Sequence, residues 1–139
     1  MSVASGINRA LLAWARGFDP LLKLNATIEE AGDRSLVTSS ATIMERYIDD
    51  SKDIRLDFAL VLVEPWSEGH DPLNYDAIAY GEEWLDWVWD HQTIPNLPAE
   101  LLELEPDDQE PVAVMVMADS MCAKYQFQAH LTYRIGGRA

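Results

Sequence analysis

Three histidines, one cysteine and a surplus of carboxylates carry the reactive groups of this 139-residue chain. His70 and Asp71 are adjacent, with Glu68 close by. An imidazole oriented by a carboxylate shuttles protons near neutral pH, so this trio has the composition of a hydrolytic acid–base pair. The same residues suit a turn in which Asp71 caps a helix opening at Pro72, and that simpler reading is preferred. Glu82, Glu83 and Asp86 offer paired carboxylates but fall on the solvent side of that helix. His91 falls at its end, and His130 on the wet face of a strand. Cys122 can form no intramolecular disulfide and no thiolate metal site, and it reads as a half-buried thiol at a strand start. No GxSxG, GxxxxGK[ST], HExxH or phosphate-binding glycine loop is present. The expectation is therefore no catalytic set, no cofactor and no metal.

Two features point to contacts instead. Trp84, Trp87 and Trp89 lie too close in sequence for all of them to face one small core, and tryptophan is enriched at binding hot spots. The acidic run at 100–110 either keeps a loop solvated or meets a basic partner. Trp66, Trp87, Glu103, Glu105, Asp107 and Asp108 are the candidate interface residues.

The elements that position these groups follow from hydrophobic spacing. Ile7, Leu11, Trp14 and Ala15 predict a helix over 5–18 that ends near Gly17. After the turn signal Asp19-Pro20, residues 22–29 alternate moderately and predict a strand, and 36–48 predict a longer extended segment. Over 54–63, one face is Ile54, Leu56, Phe58, Leu60 and Leu62. The other runs from polar Arg55 and Asp57 to apolar Val61 and Val63, as in a strand entering the middle of a sheet. A helix follows over 71–91, with Tyr75, Ile78, Leu85, Val88 and Trp89 on its apolar face and Trp84 widening it.

Residues 94–111 contain Pro95, Pro98, Pro106 and Pro111 and predict a long surface connection with one helical turn at 99–104. Two strands close the chain, at 112–118 and 123–135; the second alternates Ala123, Tyr125, Phe127, Ala129, Leu131 and Tyr133 with polar residues. The fold class is α/β (α+β): a mixed or antiparallel sheet of about four to five strands with helices on one face. One domain spans 1–139, with the acidic, proline-rich loop at about 92–111.

Composition agrees. The hydrophobic share is 48% and the charged share 24%, as in ordinary globular domains. No apolar run is long enough for a membrane span, and the first residues lack the basic-then-apolar order of a signal peptide. Charge is the skewed quantity, at −14 with a pI near 4.3. Such a surface repels phosphate backbones and argues against sequence-specific DNA binding.

Tyr47-Ile48-Asp49-Asp50-Ser51-Lys52 followed by Leu56-Asp57-Phe58-Ala59-Leu60 resembles the "Y-x-D-G-S-K … F-x-L" segment of phage minor capsid proteins of the tail terminator type. Asn74 with Glu83-Trp84-Leu85-Asp86-Trp87 resembles that family's "N … W-[IL]" helix, and Leu97-Pro98 its "L-P" loop. Residues 124–133 resemble its closing "Y-Q-[IF]-x-[LA]-x-L-x-Y" strand. The likeness covers about 43–133, and Asp50 stands where the family pattern has glycine.

The resemblance implies a non-enzymatic virion protein at the head-proximal end of a tail, present in the host cytoplasm during assembly. Its fold would be α/β, a sheet flanked by helices. It would form a homo-oligomeric ring, usually a hexamer, between the tail tube protein and a head connector or neck protein. Genomic DNA would pass through a negative lumen without specific binding. Segments 36–48 and 100–110 are the expected subunit contacts. A neighbouring head-completion or connector protein, an acidic inhibitor or DNA mimic, and a small hydrolase built on His70 are the alternatives.

Overall fold

The structure is a computed structural model describing residues 3–26, 32–65, 72–107, 112–117 and 122–136. In chain order the elements are α1 (Val3–Ala15), β1 (Lys23–Leu24), β2 (Arg34–Arg46), β3 (Lys52–Pro65), α2 (Pro72–Asp90), β4 (Glu100–Pro106), β5 (Val112–Met117) and β6 (Cys122–Ile135). They build one mixed six-stranded sheet in the order β1-β2-β3-β6-β4, with β5 also on β6. The α+β class and the packing of helices against the sheet are as the sequence predicts.

β3 and β6 form the spine, paired without interruption from Lys52↔Ile135 to Pro65↔Cys122. The far edge of β6 is shared. β4 lies along one half, from Glu100↔Arg134 to Pro106↔Ala129, and β5 along the other, from Val112↔Phe127 to Met117↔Cys122. β1 adds two parallel pairs to β2, Lys23↔Ser35 and Leu24↔Leu36.

Alternation decides the core face. Leu56, Phe58, Leu60 and Leu62 lie opposite Leu131, Ala129, Phe127 and Tyr125, and all are buried under the helices. Each large apolar side chain removed from water there contributes about 1.5–3 kcal/mol. Ile7, Ala10, Leu11, Trp14 and Ala15 of α1 pack onto this face. An aromatic group ties the layers together: Trp14, Phe18, Phe58, Trp84 and Trp87 have ring centroids 4.8–6.5 Å apart. The Trp14 indole N–H also donates to the carbonyl of His91 at 3.0 Å, joining α1 to the end of α2. The buried Trp84 N–H has no acceptor among the described residues.

Asp19, buried after α1, pins three elements. Its carboxylate accepts from Arg34 at 2.8 Å, from the Tyr80 hydroxyl at 2.5 Å and from the Leu21 N–H at 3.0 Å. Burial alone would raise its pKa. The bonds from Tyr80, Arg34 and Leu21 and the guanidinium charge outweigh that and hold it below the usual carboxylate value.

Three expectations are corrected. Residues 100–106 are not a surface connection with a helical turn but a strand, because Leu104 faces the core while Glu103 and Glu105 face the opposite side. The strand predicted at 22–29 is confined to Lys23–Leu24 among the described residues. The buried stripe of α2 is Ala77, Gly81, Trp84 and Val88, with Ile78 and Leu85 at its margins, and Trp89 points outward at 51% exposure.

Candidate functional site

The second half of β2 and its turn into β3 form an exposed hairpin arm at the sheet edge, while β3 itself stays paired to β6 throughout. Residues 39–50 are all exposed. Asn25, in a left-handed conformation at φ 50°, accepts from the Thr38 N–H at 2.8 Å and donates to its hydroxyl at 3.0 Å, and so ends the cover on β2. Beyond it, the outer edge of β2 has no strand partner among the described residues. Unpaired edges are docking templates that folded proteins ordinarily blunt. Here two register shifts, between Thr38 and Ala41 and between Ile43 and Glu45, twist the edge. Ile43, Met44, Tyr47 and Ile48 nevertheless place large apolar side chains in solvent on this arm.

The turn end of the arm is held in shape. Tyr47 N–H donates to the Ser51 carbonyl at 3.0 Å, and Asp50 N–H to the Tyr47 carbonyl at 3.1 Å. Asp50 itself has φ 70°, the left-handed position closing a three-residue hairpin loop. Arg134 of β6 grips Asp53 through Nε at 2.7 Å and Nη2 at 3.1 Å, and donates to the Tyr47 hydroxyl at 3.1 Å. Its guanidinium also lies over the Tyr47 ring, 4.8 Å from the centroid. The Tyr47 hydroxyl donates to Asp53 at 2.6 Å. Hydrogen bonds from Arg134 and Tyr47 hold the Asp53 carboxyl below the usual range. Beside this clamp lies an open recess of about 680 Å³ lined by Tyr47, Ile48, Asp49, Ser51 and Arg134.

The sheet face opposite the helices carries a second polar group. His130 lies opposite Asp57 of β3 on one side and Glu105 of β4 on the other. It is 7% exposed rather than wet, because carboxylates cover it. Its Nδ1 is 2.7 Å from Asp107, and its Nε2 is 2.9 Å from Glu103 and 3.3 Å from Glu105. Arg55 contacts Asp57 at 3.0 Å and Asp107 at 3.6 Å. Burial would lower the His130 pKa; Asp107 and Glu103 overcome it and raise it above the ordinary imidazole value. The same bond to His130 lowers Glu103.

Of the candidate interface residues, Glu103, Glu105 and Asp107 are brought together around His130. Trp87 is taken up by packing, stacked between Trp84 at 5.7 Å and His91 at 4.1 Å, and Trp89 is the tryptophan of α2 left in solvent. Trp66, Asp108 and the His70, Asp71 and Glu68 trio lie outside the described residues. Glu82, Glu83 and Asp86 are on the exposed side of α2, as expected. Sequence reading did not single out Arg134, Asp53 or His130 as members of networks; only the period-two spacing of Glu103 and Glu105 hinted that two carboxylates share a face.

No helix among the described residues is long and apolar enough to cross a membrane. Set against known protein families and curated proteins, the chain matches no family model and no curated sequence.

Proposed function

We propose that this chain is a structural virion protein that forms a ring at the head-proximal end of a phage tail, ends tube polymerisation and supplies the surface joined by the head connector. The observation that carries this reading is the hairpin arm: a braced, exposed segment with an unpartnered β2 edge and apolar Ile43, Met44, Tyr47 and Ile48. A closed ring needs a heterologous contact, in which one surface of each subunit meets a different surface of the next. An exposed strand edge carrying apolar side chains suits that geometry. The resemblance of residues 43–133 to tail terminators supplies the rest: the tail-end location, a hexamer, and tube and neck proteins as partners.

The acidic-mimic alternative is less favoured on a specific ground. Such a protein presents free carboxylates to a basic partner, whereas Glu103, Glu105 and Asp107 are turned onto His130 and Arg55. Antibody-labelled electron microscopy of particles carrying this chain tests the proposal. Label confined to the head-proximal tail end supports it, and particles without label overturn it.

A further inference from the structure

The cluster on the sheet face away from the helices presents carboxylates to both sides of one buried imidazole. Both ring nitrogens of His130 face carboxylate oxygens: Asp107 at Nδ1, and Glu103 and Glu105 at Nε2. A neutral imidazole donates from one nitrogen only. With Nδ1–H given to Asp107, Nε2 meets Glu103 and Glu105 either through a second proton or through a bound cation. The imidazole is more than nine-tenths buried, so bulk water screens the surrounding carboxylates poorly.

Charge counting points to more than a proton. Asp57, Glu103, Glu105 and Asp107 surround the site, with Arg55 as the guanidinium among them. A proton on Nε2 cancels one of the remaining negative charges, whereas a divalent ion cancels two. The spacing is close to that of a metal site. The ligand atoms of Glu103, Glu105 and His130 all lie within 4.8 Å of one another, with the imidazole 2.9 and 3.3 Å from the two carboxylates. Bonds of about 2.0–2.2 Å around a tetrahedral ion place neighbouring ligand atoms about 3.3–3.5 Å apart, which matches the Glu105 contact, while the Glu103 oxygen, now at hydrogen-bond distance, would move out by about 0.5 Å to share the ion. Asp107 on the far nitrogen completes the carboxylate–histidine pairing that fixes tautomer and ring orientation in metal sites.

We propose that Glu103, Glu105 and His130 bind one divalent first-row transition cation of the zinc class, with Asp107 as a positioning residue. Two oxygens and one imidazole nitrogen favour such an ion over magnesium or calcium, which take all-oxygen sets. Glu103 and Glu105 come from β4 and His130 from β6, so the ion fastens the edge strand to the spine. Leu102, the extra residue at the register shift between Leu101 and Glu103, lets Glu103 and Glu105 both face His130. This site does not depend on the chain's assembly into a ring.

The test is calorimetric titration of the metal-stripped full-length protein with zinc chloride, with magnesium chloride as the comparison. One saturable equivalent of zinc and no matching magnesium isotherm are expected. Glu103→Gln, on a half-exposed carboxylate whose loss leaves the core intact, is expected to weaken zinc at least tenfold, and His130→Asn to abolish the isotherm. Asp107→Asn is expected to weaken it about 10–100-fold. Glu82→Gln, on the exposed side of α2, is expected to change nothing. Absence of saturable zinc binding, or zinc binding that survives Glu103→Gln and Asp107→Asn undiminished, overturns the proposal and leaves the site holding a proton only.

Discussion

Gly81 of α2 rests directly on the ring of Phe127 in β6, so closely that a Cβ built at position 81 would fall inside the ring edge. Phe127 is fully buried, with Leu60 opposite it on β3. Helix α2 reaches the sheet because position 81 has no side chain. Gly81→Ala is therefore expected to destabilise the fold despite the better helix propensity of alanine. Overpacking of this kind costs about 1–3 kcal/mol, more than the roughly 1 kcal/mol that alanine returns. Urea unfolding followed by tryptophan fluorescence checks it: the midpoint should fall, with little change in slope.

Asp50 predicts the opposite sign. Its φ of 70° is the conformation that glycine adopts freely, at the position where the tail terminator pattern has glycine. A left-handed non-glycine residue costs about 1–2 kcal/mol, partly offset by the roughly 0.5–1 kcal/mol that glycine's flexibility costs on folding. Asp50→Gly is expected to raise the unfolding midpoint slightly, by about 0.5 kcal/mol, through relief of backbone strain. A lower midpoint would mean that the turn adopts another geometry.

The Asp19 hub gives a pH dependence. The folded carboxyl titrates below its unfolded value, so the unfolded chain binds the proton first and stability falls as pH is lowered. Its contribution is present in full above the ordinary carboxylate value near 3.8 and is lost as pH drops through the lower folded pKa. Asp19→Asn is expected to cost about 1–3 kcal/mol at neutral pH and to flatten the acid limb of the stability curve. Unfolding midpoints of both proteins from pH 6 to about pH 2 measure it; parallel curves would contradict the assignment.

The hairpin arm predicts a separation of assembly from folding. Ile48 is fully exposed and Ile43 nearly half-exposed, so Ile43→Glu with Ile48→Glu is expected to change stability by no more than about 0.5 kcal/mol each. The same pair of charges on a subunit contact would oppose ring closure. Wild-type unfolding midpoints combined with absence of the doubly substituted chain from purified particles is the expected pattern. Normal incorporation would remove the arm from the contact.

What the sequence makes legible follows from how strongly each segment is patterned. β6 is readable because Tyr125, Phe127, Leu131 and Tyr133 alternate with polar residues through its whole length. β4 is not, because its prolines and carboxylates mimic a loop, and the extra residue Leu102 breaks the alternation between Leu101 and Leu104. Read alone, Leu104 flanked by Glu103 and Glu105 is a strand signal that the acidic run hides. The phase of α2 is misread for a related reason. Ala77 and Gly81 carry too little hydrophobicity to mark the buried face, while Trp89 carries much and faces solvent. The His130 cluster is illegible in principle: its partners are 23 and 27 positions away, joined by strand register rather than by spacing.

The most direct test is a cryo-electron microscopy reconstruction of the head-proximal tail end in particles containing this chain. A closed ring of its copies, with the β2 edge at residues 39–46 lying against the neighbouring subunit, is the predicted result. A tail end without this chain, or a ring in which that edge faces open solvent, would contradict the account.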